Sequence, residues 1–249
     1  MEKEHLQLAA AFAALPPLHR KILSERLRSV SFLDGMPNTA LTSTVNPGEP
    51  YRLFDITIRA AILHQNASEW LTEKERTLFD TTGSPLSVSI EGGKRDAIVY
   101  VLLHEATHIV DASLGITPIP ISGRELAGNV PPTAFTKGVW SERMIPAAPY
   151  RDSLRERIRF RVGGETLPID RADAVYASLR RTPFVSLYGS SNWYEDVAEF
   201  VAVYHWTKVL KQPYRIVIRK EGKEIFVYEP MKSDLVRSRV DQMKQFYAE

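Results

Sequence analysis

The sequence predicts an α+β domain, and three observations lead there. Segments with helical spacing outnumber those that alternate like strands, and the two kinds follow no regular β–α–β rhythm. Hydrophobic residues make up 44% of 249 positions, enough for one large core. The segment from Asp96 to Gly115 is apolar nearly all round, as a helix running through that core must be. No internal repeat or linker marks a boundary, so residues 1–249 are read as a single domain with a helical N-terminal segment over 1–30.

The elements follow in order. Glu2 to Arg28 reads as one or two helices interrupted at Pro16-Pro17. Val30 to Leu33 reads as a short strand, and Gly35-Met36-Pro37-Asn38 as a turn. From Leu53 to Ile62, Phe54, Ile56 and Ile58 alternate with Asp55, Thr57 and Arg59, which predicts a strand with one wet face. A helix is expected over Ser68 to Phe79, capped by Ser68 and burying Trp70, Leu71, Leu78 and Phe79. Leu86 to Ile90 is a further short strand before Gly92-Gly93. The apolar helix starts near Asp96 and stops at Gly115, with Pro118 just beyond. The Pro- and Gly-rich stretch from Ile116 to Tyr150 reads as mostly loop. Helices are expected again over Asp152–Arg161, Arg171–Leu179 and Asn192–Leu210. Tyr214–Arg219 and Glu224–Tyr228 form a hairpin through Glu221-Gly222, and a final helix fills Lys232–Ala248.

Composition removes several classes of function. The absence of cysteine excludes a disulfide scaffold, a thiol nucleophile and any thiolate metal site, so a metal would need His, Asp and Glu. A net charge of +2 with both signs interspersed gives no footprint for nucleic acid. The densest basic stretch, Arg151 to Arg161, is broken by Asp152 and Glu156. It reads as the solvated face of an amphipathic helix around Leu154 and Ile158, with a site for an acidic substrate or partner as the alternative. The longest apolar runs, Leu8–Leu15 and Ala97–Leu103, fall short of the roughly 20 residues that cross a bilayer, so no membrane span is expected. The start, Met1-Glu2-Lys3-Glu4-His5, is no basic signal region. It leaves a cytoplasmic protein, or a secreted or periplasmic one whose signal has been removed; the lack of cysteine inclines the reading to the second.

Chemistry concentrates at His104-Glu105-Ala106-Thr107-His108, an H-E-x-x-H motif inside the apolar helix. Residues four apart share a helical face, so both imidazoles can reach one metal ion. Glu105 lies at the edge of that face, placed to hydrogen-bond a metal-held water without being a ligand. The plain alternative is a pair of buried structural histidines. Two histidines leave a zinc site one protein ligand short. Asp111 is nearest, but a straight helix rarely wraps three ligands round one ion, so Asp111 is read as a supporting carboxylate or a core-edge hydrogen bonder. No further histidine follows until His205, which excludes the three-histidine extension of the motif.

Glu195 is the stronger third ligand. Glu195 and Glu199 stand four apart behind Asn192, which is placed as an N-cap, on a helix otherwise rich in Val197, Ala198, Phe200, Val201 and Val203. Two carboxylates on such a face are costly to bury without a cation. Glu195 would then ligate zinc, and Glu199 would accept the free N–H of a ligand imidazole and fix its tautomer. An exposed acidic stripe favoured by the helix dipole is the alternative. His205 falls off this face and reads as supporting. His5, His19 and His64 read as surface or core-edge residues. Trp140, Trp193 and Trp206 read as packing anchors, with a cleft-lining Trp140 as the alternative.

The pair HEATHIVD and YGSSNWYEDVAEF resembles the gluzincin group of zinc peptidases, most of all the catalytic domain of anthrax lethal factor and related bacterial enzymes, including Pro-Pro endopeptidases. In that pattern H-E-x-x-H is followed by Tyr, six residues, a ligand Glu, and a second Glu in an Ala-Glu dipeptide. Tyr188, Glu195 and Ala198-Glu199 stand at those spacings. The resemblance implies a zincin-like domain and a zinc metalloendopeptidase acting on a peptide or protein substrate. It makes His104, His108 and Glu195 the zinc ligands, Glu105 the base for the attacking water, and Tyr188 the phenol that stabilises the oxyanion. Asp111 matches an acidic position that often follows the second histidine by three. The motifs span about a fifth of the chain, and two departures stand beside them. Thr107 replaces a common glycine, and the gap of 80 residues from His108 to Tyr188 makes 116–187 an insertion over or beside the cleft. The rival reading is a zinc-binding, non-proteolytic interaction module on the same scaffold, which would need neither Glu105 nor Tyr188.

Overall fold

The computed structural model describes residues 2–119 and 130–248. The architecture is mixed α+β. Two helices, α1 (Glu2–Ala13) and α2 (Pro17–Arg26), open the chain, with Pro17 at the first helical position of α2, where its missing N–H costs nothing. Strand β1 (Leu27–Leu33) follows at once, so the N-terminal helical segment ends at Arg26, short of residue 30. Strands β2 (Ala40–Thr44) and β3 (Phe54–Arg59) complete a three-stranded sheet of order β1-β3-β2. In β3 the expected alternation holds: Phe54, Ile56 and Ile58 are buried, and their neighbours are half-exposed. Strand β2 pairs antiparallel with β3, Thr42 opposite Ile56, and forms one edge of the sheet.

Helix α3 (Ala67–Arg76) is capped by Asn66 rather than Ser68. Asn66 and Glu69 form a reciprocal capping box, which satisfies two orphan N–H groups where Ser68 would satisfy one. Phe79 has left the helix for β4 (Phe79–Asp80), and β5 (Leu86–Glu91) follows. Helix α4 (Ala97–Leu114) carries the H-E-x-x-H motif and ends on Gly115 in the left-handed conformation, φ +66°. By length and composition α4 could cross a membrane. It lies instead in the core, packed against α1, α2 and α3 and buried from Ala97 to Thr107.

Further along the chain, β6 (Trp140–Glu142) and β7 (Ile145–Pro146) form a small hairpin, β8 (Leu167–Pro168) pairs with β4, and α5 (Ala172–Arg180) matches expectation. The helix expected over Asp152–Arg161 is reduced to one 3₁₀ turn at Arg155–Arg157. Three arginines of the basic stretch, Arg151, Arg157 and Arg159, are exposed as expected, but the other two turn inward. Arg155 is buried and donates to Ser178 Oγ at 2.8 Å and to the Tyr150 carbonyl, while Arg161 donates to the carbonyls of Met144 (2.8 Å) and Ser191. Guanidiniums that satisfy backbone carbonyls hold an irregular path that a helix would not leave open.

Helix α6 (Trp193–Tyr204) crosses α4 and runs into a short π-helical turn, His205–Val209. Strands β9 (Arg215–Lys220) and β10 (Lys223–Tyr228) form the expected hairpin, with Glu221 and Gly222 both at positive φ, and β9 pairs with β5 in a second three-stranded sheet. The final helix is broken. Only α7 (Asp234–Arg237) and a 3₁₀ stretch, Val240–Phe246, remain, because Arg239 turns inward to the buried Asp196 of α6, 2.7 Å away.

Candidate metal centre

Helix α4 sets His104 and His108 one turn apart on the face toward α6, and a cap sets Glu195. The Asn192 side chain accepts hydrogen bonds from the N–H groups of Tyr194 (3.0 Å) and Glu195 (3.1 Å), so α6 begins with Glu195 in its first turn, facing α4. Three ligand atoms converge. His104 Nε2 lies 3.1 Å from Glu195 Oε2 and 3.2 Å from His108 Nε2, and His108 Nε2 lies 3.6 Å from Glu195 Oε2. Such a set, two nitrogens and one carboxylate oxygen on a cleft wall, could hold a small divalent cation.

A second layer fixes the first. Glu199 is 1% exposed, and its Oε1 lies 3.1 Å from His104 Nδ1, which leaves Nε2 of that ring free to act as a ligand. Its Oε2 accepts from Ser186 Oγ at 2.7 Å and from the Tyr100 hydroxyl at 3.4 Å. Tyr188 sits in the turn before α6 with its ring stacked beside His104, the planes 29° apart and the centroids 5.8 Å apart. Glycine at position 189 eases the close approach of that turn to α6: a Cβ there would meet Glu199 Cβ at 3.2 Å and Ser186 Oγ at 3.3 Å, and those side chains would have to give by a few tenths of an ångström. Glu105 points into the cleft and accepts a 2.6 Å hydrogen bond on Oε2 from Thr42 Oγ1 of β2. Asp111 takes the second of its two expected roles. It accepts from Thr117 N and Thr117 Oγ1, both at 2.6 Å, which ties down the chain leaving α4, and among the described residues it bonds neither imidazole.

The charges are mutually adjusted. Burial alone would lower the His104 imidazole, but hydrogen bonds to Glu195 and Glu199 outweigh it and push the group up to about 10. His108 shifts the same way, with Glu195 overcoming burial. Against their own burial, Glu195 is held well below the usual carboxylate range by His108 and His104, and Glu199 is brought down to about 2 by Lys74 and His104. Burial, with the charges of Glu195, Glu199 and Glu105 behind it, raises Tyr188 well above 10, so its phenol remains an O–H donor at neutral pH.

The site opens into a cleft of about 640 Å³, walled by residues 37–42 of the β2 edge, by Trp70 and Lys74 of α3, and by Arg159, Phe160 and Tyr188. The 116–187 segment thus supplies Arg159 and Phe160 to the wall; its residues 120–129 lie outside those described. Thr42 and Lys74 are not among the expected site residues. Thr42 had a faint signal in the alternation Ala40, Thr42, Thr44 after the turn, and Lys74 in its place four residues after Trp70 on one helix face. Among the other histidines, His5 and His64 are exposed, and His205 is a brace between the Ala14 carbonyl and the Tyr247 hydroxyl, both at 2.7 Å. His19 is not at the surface: it is fully buried, 2.9 Å from Thr107 Oγ1 inside the motif itself. Trp140 and Trp206 are packing anchors whose indole N–H groups donate to Asp196 and to the Gly92 carbonyl. No family model, curated protein or solved structure matches this chain.

Proposed function

We propose that the chain is a zinc-dependent metallopeptidase with a zincin-like catalytic domain of the gluzincin kind that its motifs resemble. One observation carries the reading. Around a tetrahedral zinc with ligand bonds near 2.0–2.1 Å, neighbouring ligand atoms stand about 3.3 Å apart. The three separations among His104 Nε2, His108 Nε2 and Glu195 Oε2 are 3.1, 3.2 and 3.6 Å. The fourth corner would face the cleft, which suits a water.

Zinc held by this set would acidify that water and polarise a scissile carbonyl. The chain's own groups do the rest. Glu105 stands outside the ligand set; Thr42 occupies its Oε2 and leaves Oε1 free to take a proton from the attacking water and pass it to the leaving amine. Tyr188, neutral and beside His104, donates its O–H to the carbonyl oxygen as negative charge builds there. Strand β2 supports a peptide substrate, because among the described residues its outer edge carries no further strand along the cleft wall, and an extended chain can add there.

Purified protein is expected to hold about one zinc per chain and to cleave members of a peptide library. Glu105→Gln is expected to keep the zinc and to lose activity by about 10²-fold or more. Stoichiometric zinc without cleavage of any peptide would favour the non-proteolytic module, and no uptake of zinc would sink both readings.

A further inference from the structure

Helix α3 sends Lys74 into the cleft wall. Its ammonium lies 3.5 Å from Glu199 Oε1 and 3.7 Å from the centre of the Tyr188 ring, with the Trp70 and Phe160 rings at 5.4 and 5.8 Å. The side chain is only 18% exposed. An ammonium enters such a place only where carboxylate and ring faces replace lost water. The other cleft cations differ: Arg59 pairs with Glu73 at 3.9 Å, and Arg159 is exposed.

Two needs of the site meet at this ammonium. The first is charge. Glu105, Glu195 and Glu199 bring three negative charges to two imidazoles, so a divalent cation leaves one uncompensated, and Lys74 cancels it. The second is orientation. Glu199 Oε2 is held by Ser186 and Tyr100, but among the described residues Oε1 has only the ion-pair contacts of His104 Nδ1 and Lys74 Nζ. Without the ammonium, one contact alone would set the aim of that oxygen, and the Tyr188 ring would lose its nearest cation.

We propose that Lys74 is a positioning residue of the site: its ammonium holds Glu199 aimed at His104 and holds the Tyr188 ring in place beside the reacting centre. The inference rests on the zinc-peptidase reading. A residue acting through Glu199 must alter metal affinity, and one acting through Tyr188 must alter turnover more than substrate binding.

The test compares Lys74→Met, Lys74→Arg, Tyr188→Phe and the Lys74→Met/Tyr188→Phe double variant. The measurements are zinc Kd by chelator competition, kcat and KM at saturating zinc, and Tm. Lys74→Met is expected to weaken zinc binding about tenfold and to lower kcat about 10–100-fold, with KM little changed. Lys74→Arg should restore most of both, since it returns the charge. In the Tyr188→Phe background the kcat loss from Lys74→Met should shrink, because the group it positions is already gone. Should Lys74→Met fail to fold, Lys74→Gln removes the charge with less change of shape and carries the same comparison. An unchanged zinc Kd or an unchanged kcat in a folded Lys74→Met, or losses that multiply fully in the double variant, would overturn the role. If wild type takes up no zinc, the underlying reading fails with it; if wild type binds zinc and Lys74→Met binds it equally tightly, Lys74 alone is wrongly assigned.

Discussion

Four carboxylates lie near His104 and His108, and their neighbours, not their chemistry, divide the work. Glu195 faces both imidazoles, Glu199 faces the back of one, Glu105 faces the cleft and a threonine, and Asp111 faces Thr117. The division is testable one residue at a time. Glu195→Ala should weaken zinc binding well beyond the roughly 10–100-fold that outer partners of a metal site cost. Asp111→Ala should leave zinc affinity nearly untouched but lower stability by about 1–3 kcal/mol, because it strands the buried Thr117 N–H. Chelator competition and urea denaturation on both variants separate the two outcomes, and the reverse order would move the third ligand onto α4. Glu105→Gln belongs to a third kind, with zinc and stability kept and turnover lost. The residue scale is also where the sequence was most legible: a spacing of four on two helices named every carboxylate that now stands beside an imidazole. Thr42 and Lys74 escaped, since one hydroxyl in a strand and one lysine on an amphipathic helix look like ordinary surface until the fold turns them inward.

Among elements, those whose local chemistry agrees with their packing could be read in advance. Helix α4 has its glycine stop, α6 its asparagine cap, and the β9–β10 hairpin its Glu221-Gly222 turn. The misread segments are those in which a distant partner decides the path. Arg155 and Arg161 hold an irregular loop on backbone carbonyls, and Arg239 breaks the last helix to reach Asp196. His19 is the same lesson in one helix pair. It reads as an isolated histidine of α2, yet it packs fully buried against α4, and Thr107 Oγ1, which donates to the Leu103 carbonyl at 2.7 Å, is left to accept from the ring. Burial, and then the charge of His205, lower its pKa to about 3. The unfolded chain therefore binds a proton from about pH 6.5 downward that the folded chain refuses until about pH 3. The stability His19 contributes is full above pH 6.5 and falls on acidification, by about 1.4 kcal/mol per pH unit. Between about pH 6 and 4.5 the imidazoles of His104 and His108 are protonated in both states and add no slope. Burial raises Glu75 to about 7, which adds a slope of the opposite sign in both proteins, so the quantity to read is the difference between them. In denaturant titrations of chelated protein across that window the stability of wild type relative to His19→Gln should fall as pH falls, and a constant difference would mean that His19 is not held neutral.

At the scale of the molecule, the candidate centre gathers β2, α3, α4 and α6 from widely separated parts of the chain. A cation bound to α4 and α6 together would favour the folded chain by mass action, about 2.7 kcal/mol at a hundredfold excess over Kd. For a chain of this size that amounts to about 5–10 °C in Tm. Without metal the fold has a substitute, because Glu195 and Glu199 hold protons on the imidazoles and carry His104 up to about 10. The sign of that substitute fixes the pH dependence. A group whose folded pKa is raised stabilises fully below its unfolded value near 6.5, and its contribution is lost as pH climbs through about 10. The chelated protein should therefore weaken between pH 6.5 and 9, while the zinc form has no such protons to lose. The Tm gap between zinc-loaded and chelated protein should widen over that range, persist in Glu105→Gln and collapse in Glu195→Ala. A gap that stays constant with pH, or survives the loss of Glu195, would mean that the metal does not sit between these two helices.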